Sequence, residues 1–214
     1  MFLFCSDIRQ AGKCRRQTNV ATQAVFEFCG DVPARPRKAE RLFFALMPQE
    51  AEAQTITRFA DGFLREQALS GARITPDRLH LSLHHLGDFK RLPPAIVYGA
   101  RLAGGAVAME AFTMAFHGIT SFDNKKHRRP LVLLGQGRAL SELHERLGKA
   151  LQRNGLRREA AFTPHMTLLY GAAAIPARVI EPLVLLVRDF VLLHSEKGLS
   201  RYHVLQRWPL AECS

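Results

Sequence analysis

The chain has 214 residues, 47% of them hydrophobic, which is enough to bury a sizeable core and excludes a disordered polymer. Thirty Lys and Arg against 19 Asp and Glu give a formal charge of +11, a balance that favours polyanionic partners without establishing one. No apolar run is long enough to span a bilayer, and the start MFLFCSDIRQ lacks a basic leader and a long apolar stretch, so a cytoplasmic monomer without a membrane partner is expected.

Residues 1–40 differ from the rest: they are rich in basic residues and end in VPARPRKAE, with two prolines and a basic cluster. They read as a poorly ordered basic extension, at most loosely helical around Ala21 to Phe28, ahead of a domain at 41–214. Cys5, Cys14, Cys29 and Cys213 form no CxxC pair, so free thiols are expected rather than a disulfide framework.

From Arg41 the pattern is regular. Leu42 to Leu46 is an apolar run stopped by Pro48 and reads as a buried strand. Ile56, Phe59, Phe63 and Leu64 recur at helical spacing, predicting a helix over about 49–68, with Gly71 and Pro76 marking the turn after it. Leu79 to Leu86 is the next strand. A second helix is predicted over 96–108, disturbed by Gly104-Gly105. The alternation of Phe112, Met114 and Phe116 predicts a half-buried strand. A basic turn, Lys125 to Arg129, precedes an apolar strand at Leu131 to Leu134. Leu140, Leu143, Leu147 and Leu151 form a helical stripe ended by Asn154-Gly155. Strands follow at Met166–Tyr170, Val184–His194 and Tyr202–Arg207. Strand–helix–strand therefore occurs twice, each time ending in a strand opened by a histidine, which suggests two related lobes.

Those two strands carry the chemistry. His80-Leu81-Ser82-Leu83 and His165-Met166-Thr167-Leu168 share one pattern: a histidine, an apolar residue, a hydroxyl residue, an apolar residue. Period-two geometry puts each imidazole and its hydroxyl on one face and the apolar residues on the other. Two imidazoles and two hydroxyls facing each other suit in-line displacement at phosphorus. One neutral histidine takes a proton from water, one protonated histidine gives a proton to the leaving oxygen, and the hydroxyls donate to the non-bridging oxygens. One such triplet carries little information, whereas two copies at strand positions carry much more.

RLHLSLHHLGDF and FTPHMTLLYG resemble the paired HxTx motifs of the 2H phosphoesterases, in particular the RNA 2′,3′-cyclic phosphodiesterases historically called 2′-5′ RNA ligases. RLFFALMP resembles the family's opening strand, and Leu192 to Leu210 its closing hairpin. The resemblance implies an α+β bilobal fold: two pseudo-symmetric lobes with antiparallel sheets, flanking helices and the active site in the cleft between them. It implies metal-independent hydrolysis of an RNA 2′,3′-cyclic phosphate to a 2′-phosphate without a cofactor, with His80 as proton donor and His165 as proton acceptor. Ser82 stands where Thr is commoner, and Tyr170 where many members have Arg.

By strand parity His84 shares the face of His80 and Ser82, so it is a substrate-contact candidate, while His85 is expected to pack or face solvent. Arg128, Arg129 and Lys126 are candidates for the phosphate-contacting cation that Tyr170 does not supply, and Phe122 and Tyr98 for base stacking. The metal readings are weak. His80-x3-His84 lacks the Glu of a zincin helix, and His194-Ser195-Glu196 has no P-C-x-x-C after it. Gly135-Gln136-Gly137 lacks the third glycine and the Lys-Ser/Thr of a phosphate loop and reads as a tight turn. The alternatives are RNA ligation, a cyclic phosphodiesterase acting on small nucleotides, and an RNA-binding module without catalysis.

Overall fold

The computed structural model describes residues 40–123, 128–171, 173–196 and 201–212. The basic extension therefore lies outside the described residues except for Glu40, as do all four cysteines and Lys125, Lys126 and His127.

The apolar run at 42–46 lies in strand β1 (Glu40–Leu46). Pro48 ends it, and helix α1 (Glu50–Glu66) starts at Gln49 with a reciprocal capping box to Glu52. The short strand β2 (Gly71–Arg73) occupies what the sequence suggested was only a turn. A single 3-10 turn at Pro76–Arg78 leads into β3 (Leu81–Phe89). Helix α2 (Pro94–Gly105), β4 (Phe112–Ser121), β5 (Arg129–Gln136), helix α3 (Arg138–Arg153) and β6 (His165–Gly171) follow. The strand predicted over 184–194 is two strands, β7 (Arg178–Val187) and β8 (Asp189–Glu196), which meet at Arg188; β9 (Tyr202–Pro209) closes the fold.

The strands pair in the order β7-β4-β5-β6-β3-β1-β8-β9, with β2 added beside β6. Every pairing between named strands is antiparallel. The order is symmetric about the β6–β3 step. On one side β1-α1-β3 and on the other β5-α3-β6 are equivalent units, each delivering one histidine motif to the centre. β3 and β6 meet at one residue pair, Leu81 with Met166, both fully buried. The α+β bilobal expectation is thus met by two antiparallel half-sheets with a narrow seam.

The helices are exchanged across that seam. α1 connects strands of the first half but lies on the second, where Glu52 accepts the backbone N–H of Leu186 (2.8 Å) and Gln67 accepts from Arg178 (2.9 Å). α3 connects strands of the second half, touches β4 there, and reaches over the first half as well, with Gly148 against His84 of β3. α2 packs beside β9, where Gly104 leaves room for the Trp208 indole: a Cβ there would lie 2.5 Å from the ring. Gly104, which weakens the helix prediction, is therefore there for packing. One large core, including Leu42, Phe44, Leu46, Leu81, Leu83, Met166 and Leu168, fills the helix-covered side and runs under the seam. The exchange makes each half depend on the other for its hydrophobic cover, which holds the two motifs in register.

Candidate active site

Leu81 and Met166 point into the core, so the residues flanking them point to the opposite, open side. Continuing the antiparallel register by one residue each way sets His80 beside Thr167 and Ser82 beside His165. Each imidazole therefore neighbours the hydroxyl of the other motif. All four line a cleft of about 310 Å³, together with Arg41, Phe43, His85, Tyr170, Ser195 and Tyr202.

The two imidazoles are held in the same way. His80 Nδ1 lies 2.8 Å from the carbonyl of Arg78, and His165 Nδ1 lies 2.8 Å from the carbonyl of Thr163. A carbonyl only accepts, so each Nδ1 carries the hydrogen and donates it. That fixes the neutral tautomer of both rings and leaves each Nε2 as the nitrogen that can exchange a proton with a substrate. Each ring also has an aromatic wall: the Tyr202 ring edge-on to His80 at 5.1 Å between centroids, and Phe122 edge-on to His165 at 5.0 Å. Phe43 adds a second wall to His80 at 5.3 Å.

The surroundings of His80 disfavour its charged form. Burial is the largest cause and overrides the hydrogen bond to the Arg78 carbonyl, and repulsion from His165, Arg78 and Arg41 adds to it, so its pKa falls to about 4. Burial pushes the Tyr202 phenol up, which keeps it a neutral O–H donor.

Strand parity misplaces one candidate. Phe44 pairs with His84 and Ala45 with Ser82, so Leu83 is an extra residue, a β-bulge. Leu83 and His84 consequently both turn inward and both are fully buried. His84 is not a cleft residue. Its Nε2 donates to the carbonyl of His144 (2.8 Å), its Nδ1 accepts the N–H of Glu159 (3.2 Å), and its ring stacks on His144 at 4.0 Å. The bulge brings His85 to the open face instead, where it lines the cleft with its side chain still partly exposed to solvent. The second motif behaves identically. Leu131 pairs with Leu169 and Val132 with Thr167, so Leu168 is extra, Leu168 and Leu169 both turn inward, and Tyr170 reaches the cleft. His85 and Tyr170 are therefore equivalent positions, each three residues beyond its motif's hydroxyl.

Among the other candidates, Arg128 sits over the Tyr170 ring at 5.8 Å, at the rim of the cleft. Arg129 is ion-paired with Asp123 (3.2 Å) and is not a lining residue. Phe122 contacts His165, whereas Tyr98 is exposed on α2, outside the cleft. Sequence reasoning missed Arg41, Phe43, Ser195 and Tyr202. Arg41 and Phe43 alternate with the core residues Leu42 and Phe44, so the signal was present in β1 but hidden by reading the run as uniformly buried. Arg41 is gripped by both carboxylate oxygens of Asp88, at 2.8 and 3.1 Å. Among the described residues, no group of three or more His, Cys, Asp or Glu side chains could hold a metal ion. Among the same residues, no helix is long and apolar enough to cross a membrane.

A family profile described as the 2′-5′ RNA ligase superfamily matches residues 47–198. The match covers most of the chain, and the chain belongs to that superfamily. Solved structures agree: Escherichia coli LigT in its apo form aligns with a TM-score of 0.61 at 26% identity, covering 81% of this chain and 99% of LigT. LigT complexed with 3′-AMP aligns with a TM-score of 0.60 at 25% identity, covering 81% of this chain and 98% of LigT. TT0787 of Thermus thermophilus, at 22% identity and a TM-score of 0.65 over 80% of this chain and 98% of that one, shares the fold. No curated protein matches the chain. The paired motifs thus belong to a LigT-like 2H phosphoesterase, a member of an enzyme superfamily.

Proposed function

We propose that the chain hydrolyses the 2′,3′-cyclic phosphate at the end of an RNA to a 2′-phosphate, using His80 and His165 and no metal. The observation that carries this reading is the matched pair of imidazoles. Each Nδ1 is tied to the carbonyl two residues earlier, and each ring sits in the same cleft beside the other motif's hydroxyl. A cyclic phosphate between them meets a base on one side and an acid on the other. Water attacks phosphorus as the Nε2 of one histidine takes its proton. The P–O3′ bond breaks as the other histidine protonates the leaving oxygen. Ser82, Thr167 and the Tyr202 phenol donate to the non-bridging oxygens as charge accumulates there.

The family resemblance makes His80 the donor and His165 the acceptor. Before substrate binds, His80 is mostly neutral at pH 7, so as donor it gains its proton when the anionic phosphate arrives and offsets the repulsion from His165. The +11 charge and the binding of 3′-AMP by LigT support a nucleotide or RNA substrate.

The test is hydrolysis of an oligonucleotide ending in a cyclic phosphate, with EDTA present and the product phosphate located by NMR. His80→Ala and His165→Ala should each lose about 10²- to 10⁴-fold in rate. Activity that vanishes with EDTA, or survives both substitutions, overturns the mechanism. Ligation to a 5′-hydroxyl is the same displacement with an RNA hydroxyl in place of water, and the family's description favours testing it by including a 5′-hydroxyl acceptor.

A further inference from the structure

The four motif residues at the seam are enough to surround one phosphate. The cleft continues past them along β1 and β3, where it is lined by Phe43, His85 and Arg41. In the β1–β3 pairing Phe43 lies opposite His85, and Arg41 opposite Asp88. The Phe43 ring also touches His80, so a single side chain spans from the reacting imidazole to the third one. His85 is three residues beyond Ser82 with a bulge between them, roughly 7–10 Å further along the strand. That distance puts it beyond the reacting phosphate but within reach of a group one nucleotide away.

The charges on this wall suit an anion. Asp88 is held bidentately by Arg41, and the Nε2 of His85 lies 3.7 Å from the same carboxylate. Two cationic heads can thus share one acid, leaving the trio with a net positive charge whenever His85 is protonated. His84, its neighbour in sequence, has both ring nitrogens engaged in the core, whereas His85 opens into the cleft. The equivalent position of the other half holds the phenol of Tyr170 in place of an imidazole, so the two ends of the cleft differ.

Resting on the proposed phosphodiesterase reading, we propose that His85, with Arg41 beside it, binds a second phosphate of the substrate, one nucleotide from the cyclic end. The β1–β3 end of the cleft then takes the chain on the 5′ side, and His85 sets a preference for substrates carrying that second phosphate. The group is either an internal phosphodiester or a 5′-terminal phosphate.

The test compares three substrates: a 2′,3′-cyclic mononucleotide, the same mononucleotide with a 5′-phosphate, and a dinucleotide with a cyclic end. For His85→Gln, kcat/KM should fall about tenfold more on a substrate with the second phosphate than on the plain mononucleotide, chiefly through KM. His85→Lys should restore the preference by returning a cation. The substrate that shows the larger differential effect identifies the phosphate as internal or terminal. Equal losses on all three substrates, or rescue by neither charge nor size, overturn the assignment. If the wild-type protein turns over none of the three, the phosphodiesterase reading itself falls and the assignment falls with it. A wild type that is active on all three, with an unchanged ratio in His85→Gln, removes the assignment alone.

Discussion

Tyr202→Ala tests whether aromatic walls set the acidity of His80. In the intact cleft the His80 ring lies between Tyr202 at 5.1 Å and Phe43 at 5.3 Å, and burial is the main reason its pKa falls from 6.5 to about 4. Removing Tyr202 opens one wall to water and leaves the other. It also frees the Arg78 guanidinium, which sits 5.1 Å over the Tyr202 ring, to move into solvent. About half of the desolvation should be relieved, lifting His80 to between about 5 and about 6. The assay is an NMR titration of the histidine ring protons, with His80 assigned by comparison with His80→Gln. The same shift should be visible in kinetics, because kcat/KM reports the free enzyme. With His80 as donor, kcat/KM falls as pH rises above its pKa, and the substitution moves that limb upward with it. With His80 as acceptor, kcat/KM instead rises through that pKa. Tyr202 also packs on Phe43 at 5.7 Å, so the unfolding midpoint must show that the variant is folded at the titration temperature. A His80 that stays near 4 in a folded Tyr202→Ala protein refutes the account of its environment.

Acid should destabilise the fold through the same kind of group. His80 and His144 both titrate at about 4 in the folded protein against 6.5 for an unperturbed histidine, in each case chiefly because of burial. The unfolded chain therefore binds more protons between pH 4 and 6.5, and stability rises with pH across that window, by up to about 3 kcal/mol for His80 and by less for the more solvent-screened His144. Urea midpoints from pH 4 to 7 should show this rise, and His144→Phe, which keeps a ring between His84 and Phe162, should flatten it; an unchanged slope in that variant removes His144 from the account. Gly104→Ala should lower stability by about 1–3 kcal/mol, because the new methyl meets the Trp208 ring at 2.5 Å and Trp208 is wedged against Phe44 and Phe190. The gain of about 1 kcal/mol that alanine brings to an exposed helix position is too small to reverse the sign, and a urea midpoint that rises contradicts the packing described.

Much of the molecule was legible in the sequence because it rests on local periodicity. The stripe of Leu140, Leu143, Leu147 and Leu151 defines α3 because one helix face must be buried, and all four are buried. Alternation in His80-Leu81-Ser82 and His165-Met166-Thr167 separates core from cleft, and Leu81 and Met166 are indeed the buried residues. The doubled motif also carries the family, and with it the bilobal fold. What the sequence could not determine depends on partners distant in the chain. A β-bulge is a mismatch between two strands, so period two places His84 in the cleft although the pairing with β1 turns it into the core and exposes His85. The exchange of α1 and α3 across the seam likewise follows from which half-sheet has an uncovered apolar face, a property of the assembled sheet. The tautomers of His80 and His165 and the low pKa of His80 arise from two backbone carbonyls and two aromatic walls that only the tertiary structure brings together. The sequence by itself marked His80, Ser82, His165 and Thr167 as one doubled pattern; the tertiary structure decided that the four share a cleft, which nitrogen of each ring is tied to a backbone carbonyl and which neighbours tune it, because register and burial are properties of pairs of strands and not of either strand alone.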